Sequence, residues 1–166
     1  IRSNSLSDLS PLKDLENLTK LSISSNSLSD LSPLWDLKNL TNLYLRISVS
    51  ALTSLSTLSS STTLTNLTFN SCASLSTLSG VEGLSNLTSL EINGCTSLTA
   101  VSGLKGLINL AFLKIYGCSS LSTLSGLEGL INLTSLEIIS CASLSTLSGL
   151  ERQEKLAELR ILNCAS

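Results

Sequence analysis

The chain has 166 residues, 42% of them hydrophobic but only 3% aromatic and 13% charged, with a net charge of −2 and a pI of about 5.0. That length suffices for one domain with a sizeable core, and the slight acidic balance lacks the basic stripe that nucleic-acid binding requires. Ser, Thr or Asn interrupts every apolar stretch, so no spanning helix and no membrane insertion by this segment are expected. The opening residues IRSNSLSDLS carry no charged region followed by an apolar core, so no signal peptide is visible.

Along the chain one short unit recurs. The pattern LxxLxLxxN places its ninth position at Asn4, Asn26, Ser48, Cys72, Cys95, Cys118, Cys141 and Cys164, with spacings of 22, 22, 24, 23, 23, 23 and 23. The first leucines run Leu18, Leu40, Leu64, Leu87, Leu110, Leu133 and Leu156. Residues 1–47 hold the 22-residue form, residues 48–63 an irregular junction, and residues 64–166 a 23-residue form, about eight rungs of one solenoid over 1–166.

Within a rung, Leu90 and Ile92 alternate with Ser89 and Glu91, which predicts a half-buried strand. Leu98, Val101, Leu104 and Leu107 then recur every three residues, which predicts a tight return of 3₁₀ type with one buried stripe. Stacked at roughly 4.8 Å per strand, eight rungs would span about 35–40 Å.

This pattern resembles the leucine-rich repeat family over the whole chain. The part with NSLSDLSPLKDLENLTKLSIS is similar to the 22-residue repeats of bacterial internalins. The part with LxxLxIxxCxSLxxLSGLxxL is similar to repeats of plant intracellular immune receptors, in which Cys shares the ninth position with Asn. The resemblance implies a mainly β solenoid of α/β repeat type, with a parallel concave sheet and short 3₁₀ or extended convex returns. It also implies that the ninth side chain points inward and hydrogen-bonds loop backbone. The chain starts and stops inside a repeat with no polar cap at either end, so it is expected to be part of a longer solenoid.

The five cysteines therefore read as part of a structural ladder with Asn4, Asn26 and Ser48. Their column lacks the convergent ligands, often with His, of a zinc site, and no His is present to act as base for a nucleophilic thiol. No metal, cofactor or catalytic residue is expected, and the chain is read as non-enzymatic. Unpaired thiols favour the cytoplasm, with an extracellular surface as the alternative. Asn17, Asn39, Asn66, Asn86 and Asn132 head Asn-x-Thr motifs, which are glycosylation acceptors in a secreted protein or simply the duplicated junction into each strand; the second reading is favoured.

Candidate binding residues are those breaking the Ser/Thr/Asn monotony of the outward strand positions. Phe112 and Tyr116 share one rung, with Ile139 and Leu162 on the next two; Tyr44 and Arg46 form a second group. Glu91, Lys114, Glu137 and Arg160 occupy the fifth position of consecutive rungs as a column of alternating charge. A concave, partly apolar patch with charged neighbours suits a protein ligand. The expected function is non-catalytic protein recognition within a larger receptor or surface protein. A structural or adhesive extracellular role is an alternative. So is ice binding through the Ser/Thr array of Ser74, Ser97, Ser120 and Ser143 with Thr77, Thr123 and Thr146, which Ala100 interrupts. The sequence fixes neither the partner's identity nor the oligomeric state.

Overall fold

Alternation of aliphatic and polar residues produces seven short strands: β1 (Lys20–Ser25), β2 (Asn42–Ile47), β3 (Asn66–Asn70), β4 (Ser89–Asn93), β5 (Phe112–Tyr116), β6 (Ser135–Ile139) and β7 (Glu158–Leu162). The structure, a computed structural model, describes residues 1–47, 55–58 and 61–164; Ser48 and most of the junction 48–63 lie outside the described residues. The strands form one parallel sheet in the order β1-β2-β3-β4-β5-β6-β7, each paired with its neighbours in sequence. Ahead of β1, Arg2 makes a single parallel bridge to Ser24.

Pairing is in register with the repeat, so Leu90 on β4 lies opposite Leu113 on β5, and Leu113 opposite Leu136 on β6. These inward leucines are fully buried. The returns use short 3₁₀ turns, as at Ser10–Leu12, Ser32–Asp36 and Ser102–Leu104. Their three-residue period puts Leu98, Val101, Leu104 and Leu107 against the back of the sheet, all at 0% exposure. Each buried leucine contributes roughly 1.5–3 kcal/mol; the stack of such stripes is the core.

The two repeat types start their returns differently. In the 22-residue type a proline opens the 3₁₀ turn, and Asp8 and Asp30 accept the N–H of Ser10 and Ser32, both at 2.8 Å. In the 23-residue type a glycine stands there instead, left-handed at Gly80, Gly126 and Gly149 but not at Gly103. Glu128 and Glu151 reach back to the N–H of Gly126 and Gly149, at 2.7 and 2.6 Å.

The ladder at the ninth position needs one correction. Cys72, Cys95, Cys118 and Cys141 are buried, but Asn4 is exposed and Asn26 only half-buried. In β1 the strand runs one residue further, so period-2 alternation turns Leu21, Ile23 and Ser25 inward. Ser25, at 0% exposure, donates to the Leu6 carbonyl at 2.6 Å and accepts the Ser27 N–H at 3.1 Å. Ile47 takes the same slot on β2. From β3 onward the residue before each cysteine is left-handed: Ser71, Gly94, Gly117, Ser140 and Asn163 have φ of 58, 64, 65, 57 and 54°. That turn ends the alternation one residue early and swings the cysteine inward.

Asn26 still donates to Asn4 Oδ1 at 3.3 Å, and a second asparagine ladder runs at the entry to β2, β4, β5 and β6. Asn39, Asn86, Asn109 and Asn132 donate Nδ2 to the carbonyls of Glu16, Thr62, Ser85 and Ile108 in the preceding rung, at 2.7–2.8 Å. Asn109 is followed by Leu110 and Ala111, so it heads no Asn-x-Ser/Thr motif, yet makes the same bond. Of the five Asn-x-Thr asparagines, Asn39, Asn86 and Asn132 make the rung-to-rung bond, whereas Asn66 lies within β3 and accepts from the Thr65 hydroxyl.

Candidate functional site

Strand alternation leaves the third, fifth and seventh residues of each rung on the concave face. Register pairing lines them up in rows across the strands, roughly 4.8 Å apart. On β5–β7 the seventh-position row is Tyr116, Ile139 and Leu162, direct register partners. Tyr116 is 49% exposed, Leu162 45%, and Ile139 is half-buried. Phe112, also half-buried, is the third residue of its rung and the first of β5, two residues from Lys114 and four from Tyr116.

Between them runs the charged row. Glu137 carries two ion pairs, Oε2 to Lys114 Nζ at 3.5 Å and Oε1 to Arg160 Nη1 at 3.0 Å, and its side chain is 13% exposed against 35% and 50% for the cations. The carboxylate is thus sheltered between two accessible cations. Glu91 lies in register beside Lys114, yet no ion pair joins them among the described residues. The column alternates in sign as the sequence indicates, with Glu137 its only doubly paired member. Exposed pairs of this kind contribute about 0.2–1 kcal/mol each.

Tyr44 and Arg46 lie on β2, three strands from β5, and do not join this patch. Tyr44 lines a separate cleft of about 350 Å³ with Lys20, Ser22, Asn42, Asn66 and Thr68. Four of these six are neutral polar residues, which is why a search for departures from Ser/Thr/Asn passes over them. Their signal is the third-position column Lys20, Asn42, Asn66, visible once the rungs are aligned.

The thiol column lies behind the sheet edge, where Sγ donates weakly to carbonyls: Cys118 to Tyr116 at 3.7 Å and Ile92 at 3.8 Å, Cys141 to Ile139 at 3.7 Å. Contacts with the thiols of Cys118 and Cys72, then burial, push the Cys95 thiol far above its ordinary range. Burial pushes Cys141 up to about 12. All five cysteines are free thiols. Hydrogen bonding with the Cys95 thiol pulls Cys72 and Cys118 the other way, below the ordinary thiol range. Cys95 and Cys141 are the members held protonated, and protonated thiols are poor nucleophiles and poor metal ligands.

The Ser/Thr array flanks the sheet. Thr77, Thr123 and Thr146 each accept the N–H of the serine two residues on, at 3.1, 3.2 and 3.2 Å, so these threonines shape a turn in three of the returns. Ser97 and Ser143 are exposed, Ser74 and Ser120 half-buried. Among the described residues no group of three or more His, Cys, Asp or Glu could hold a metal ion, and no helix is long and apolar enough to cross a membrane.

No protein-family model matches the sequence, and no curated protein matches it. Solved structures do match. Internalin C2 of Listeria monocytogenes superposes with a TM-score of 0.70 at 25% identity, over 94% of this chain and 66% of its own. A second internalin of that organism, InlF, gives 0.63 at 25% identity, over 96% and 52%. A leucine-rich-repeat protein of Leptospira interrogans gives 0.61 at 19% identity, over 97% and 53%, a likeness of fold alone. The chain is a leucine-rich-repeat solenoid with internalin-like features. It spans between half and two-thirds of the length of these structures.

Proposed function

We propose that the chain is a non-catalytic protein-recognition module of a longer receptor or surface protein, binding its partner through the concave face. The observation carrying this reading is the row Tyr116, Ile139 and Leu162, three apolar side chains in register on a face otherwise built from polar residues. Buried aromatic anchors beside charged groups dominate protein interfaces. Phe112 and Tyr116 are the anchors. Lys114 and Arg160, sharing the sheltered Glu137, supply orientation, and Glu91 borders the patch. Tyr44 and Arg46, on β2, lie apart from this surface and are not assigned to it. The internalin-like architecture supports the reading at the level of protein–protein interaction.

The test is binding of a purified partner, first identified by crosslinking through a photoreactive group at Ser135. The double variant Phe112→Ala, Tyr116→Ala is expected to keep the parent's circular dichroism and lose affinity by about 30-fold or more, the loss typical of hot-spot residues. Unchanged affinity in a folded variant overturns the reading.

A further inference from the structure

We infer that the cleft over β1–β3 is a saccharide subsite for one acidic sugar residue, held by Tyr44, Asn42, Asn66 and Lys20. The inference rests on residues different from the patch on β5–β7, so the two stand or fall separately.

The cleft's chemistry is unlike that patch. Its outward side chains are one aromatic ring, two amides, two hydroxyls and one ammonium: Tyr44, Asn42, Asn66, Ser22, Thr68 and Lys20. Leu21 and Leu43 form its floor, so the cleft is part apolar and part polar. A wholly apolar anchor from a protein partner would leave the amides and the ammonium unpaired, at a cost of about 1–3 kcal/mol each. A polyhydroxylated ring satisfies them. Its hydroxyls both donate and accept, and its C–H face covers Tyr44, which is 36% exposed. At about 350 Å³ the cleft lies at the small end of ligand sites, sized for one or two sugar rings.

The amides are held in place before any ligand arrives. Thr41 and Thr65 hydroxyls donate to Oδ1 of Asn42 and Asn66, both at 2.8 Å, shorter than their contacts of 3.1 and 3.2 Å with carbonyls of the preceding rung. Each amide is thereby pinned by its oxygen, and its NH₂ is not engaged by that bond. Register pairs Lys20 with Asn42 and Asn42 with Asn66, so three donors stand in one row, one strand spacing apart. That spacing of roughly 4.8 Å is close to the width of a single pyranose ring.

Charge selects the acidic sugar. The outward positions of β1–β3 hold Lys20 and Arg46 and no carboxylate. Glu91 on β4 stands beside Thr68, at the opposite side of the cleft from Lys20, so an acid group is directed to the Lys20 end. Among the described residues neither cation belongs to an ion pair, whereas Lys114 and Arg160 share Glu137. Two cations are too few for a nucleic-acid backbone and suffice for one carboxylate. Lys20, lining the cleft at the end of the donor row, is the group that meets it; Arg46, two residues beyond Tyr44, adds to the local field.

The test is an NMR titration of the full chain with trigalacturonic acid, with its neutral methyl ester, and with a hexaglutamate peptide. Saturable shifts are expected at residues 20–22, 42–46 and 66–68, with the acid bound about tenfold more tightly than the ester. Tyr44→Ala should abolish both. Asn66→Asp, which keeps size and adds a negative charge, should weaken the acid while sparing the ester, and it serves as the readout if Tyr44→Ala fails to fold. No saturable shift at about 10 mM, shifts confined to β5–β7, equal binding of the peptide, or a folded Tyr44→Ala that binds normally would each overturn the assignment.

Discussion

Gly117 and Gly126 both hold a positive φ, at 65 and 114°, yet the backbone needs them for different reasons. A Cβ on Gly117 would find its nearest atoms 3.9 Å away, in Gly94. Ser71, Ser140 and Asn163 occupy the equivalent position at φ of 58, 57 and 54°, so side chains are accommodated there. A Cβ on Gly126 would come within 2.5 Å of the Val101 carbonyl oxygen and Ser102 Cα, backbone atoms of the preceding rung that cannot step aside. Gly117→Ala is therefore expected to cost about 1–2 kcal/mol, the left-handed penalty alone. Gly126→Ala should cost at least about 3 kcal/mol, strain plus overpacking. Urea denaturation of the two variants checks the order, and equal midpoints would show that the rungs can slide apart to admit the methyl. Close packing between returns also marks two buried side-chain polar atoms without partners among the described residues, Ser61 Oγ and Gln153 Oε1. Both stand in the column that Leu84, Leu107 and Leu130 fill elsewhere.

The repeating elements are legible in the sequence to different depths. The strands are, because alternation at Leu90 and Ile92 has one physical meaning wherever a face is buried, and the three-residue returns are, because no α-helix buries a strict period of three. The concave rows follow from the same register, so Phe112, Tyr116, Ile139 and Leu162 can be grouped by counting. The inward slot at the strand's end is harder: it depends on whether the preceding residue is extended, as Ser25's environment requires, or left-handed, as Gly94 permits. Counting to nine misses that difference, though the Gly and Asn before Cys95, Cys118 and Cys164 signal it. The cleft is obscured for another reason, since its amides look like filler until Thr41 and Thr65 are seen to pin them. The thiol column has a consequence at this scale. The folded chain retains protons on Cys141 and Cys95 that an unfolded chain releases near the ordinary thiol value of 9.0. For these two thiols the unfolded state binds fewer protons above that pH, so their contribution is full below about 9 and is lost as pH rises towards about 12. Cys72 and Cys118, lowered by hydrogen bonding with the Cys95 thiol, act with the opposite sign. The loss attributable to one buried thiol is at most about 1.4 kcal/mol per pH unit. Urea midpoints between pH 7 and 11 should fall more steeply for the parent than for Cys141→Ser, which removes one titrating thiol from the column. Parallel slopes would place the alkaline sensitivity in other groups.

At the scale of the molecule, each strand touches only its neighbours in sequence, so stability and geometry pass from rung to rung and by no other route. Leu113 tests this. It is fully buried on β5 and packs in register between Leu90 and Leu136. Leu113→Ala removes side-chain packing from the interfaces on both sides of β5, with an expected cost of about 2–5 kcal/mol. In a domain with one undivided core that loss would lower amide protection everywhere alike. Here it should be largest at β4, β5 and β6 and smallest at β1 and β2, which hydrogen exchange measured residue by residue will resolve. The functional halves separate along the same line. A loosened β5 carries Phe112, Lys114 and Tyr116 with it, so protein recognition at that end should weaken although Leu113 faces the core. The cleft around Tyr44 is set by β1–β3 and their bonds to Thr41 and Thr65, and should keep its saccharide affinity in the same variant. A uniform loss of protection, with both binding activities falling together, would mean that the solenoid unfolds as one unit and that neither end can be tuned without the other.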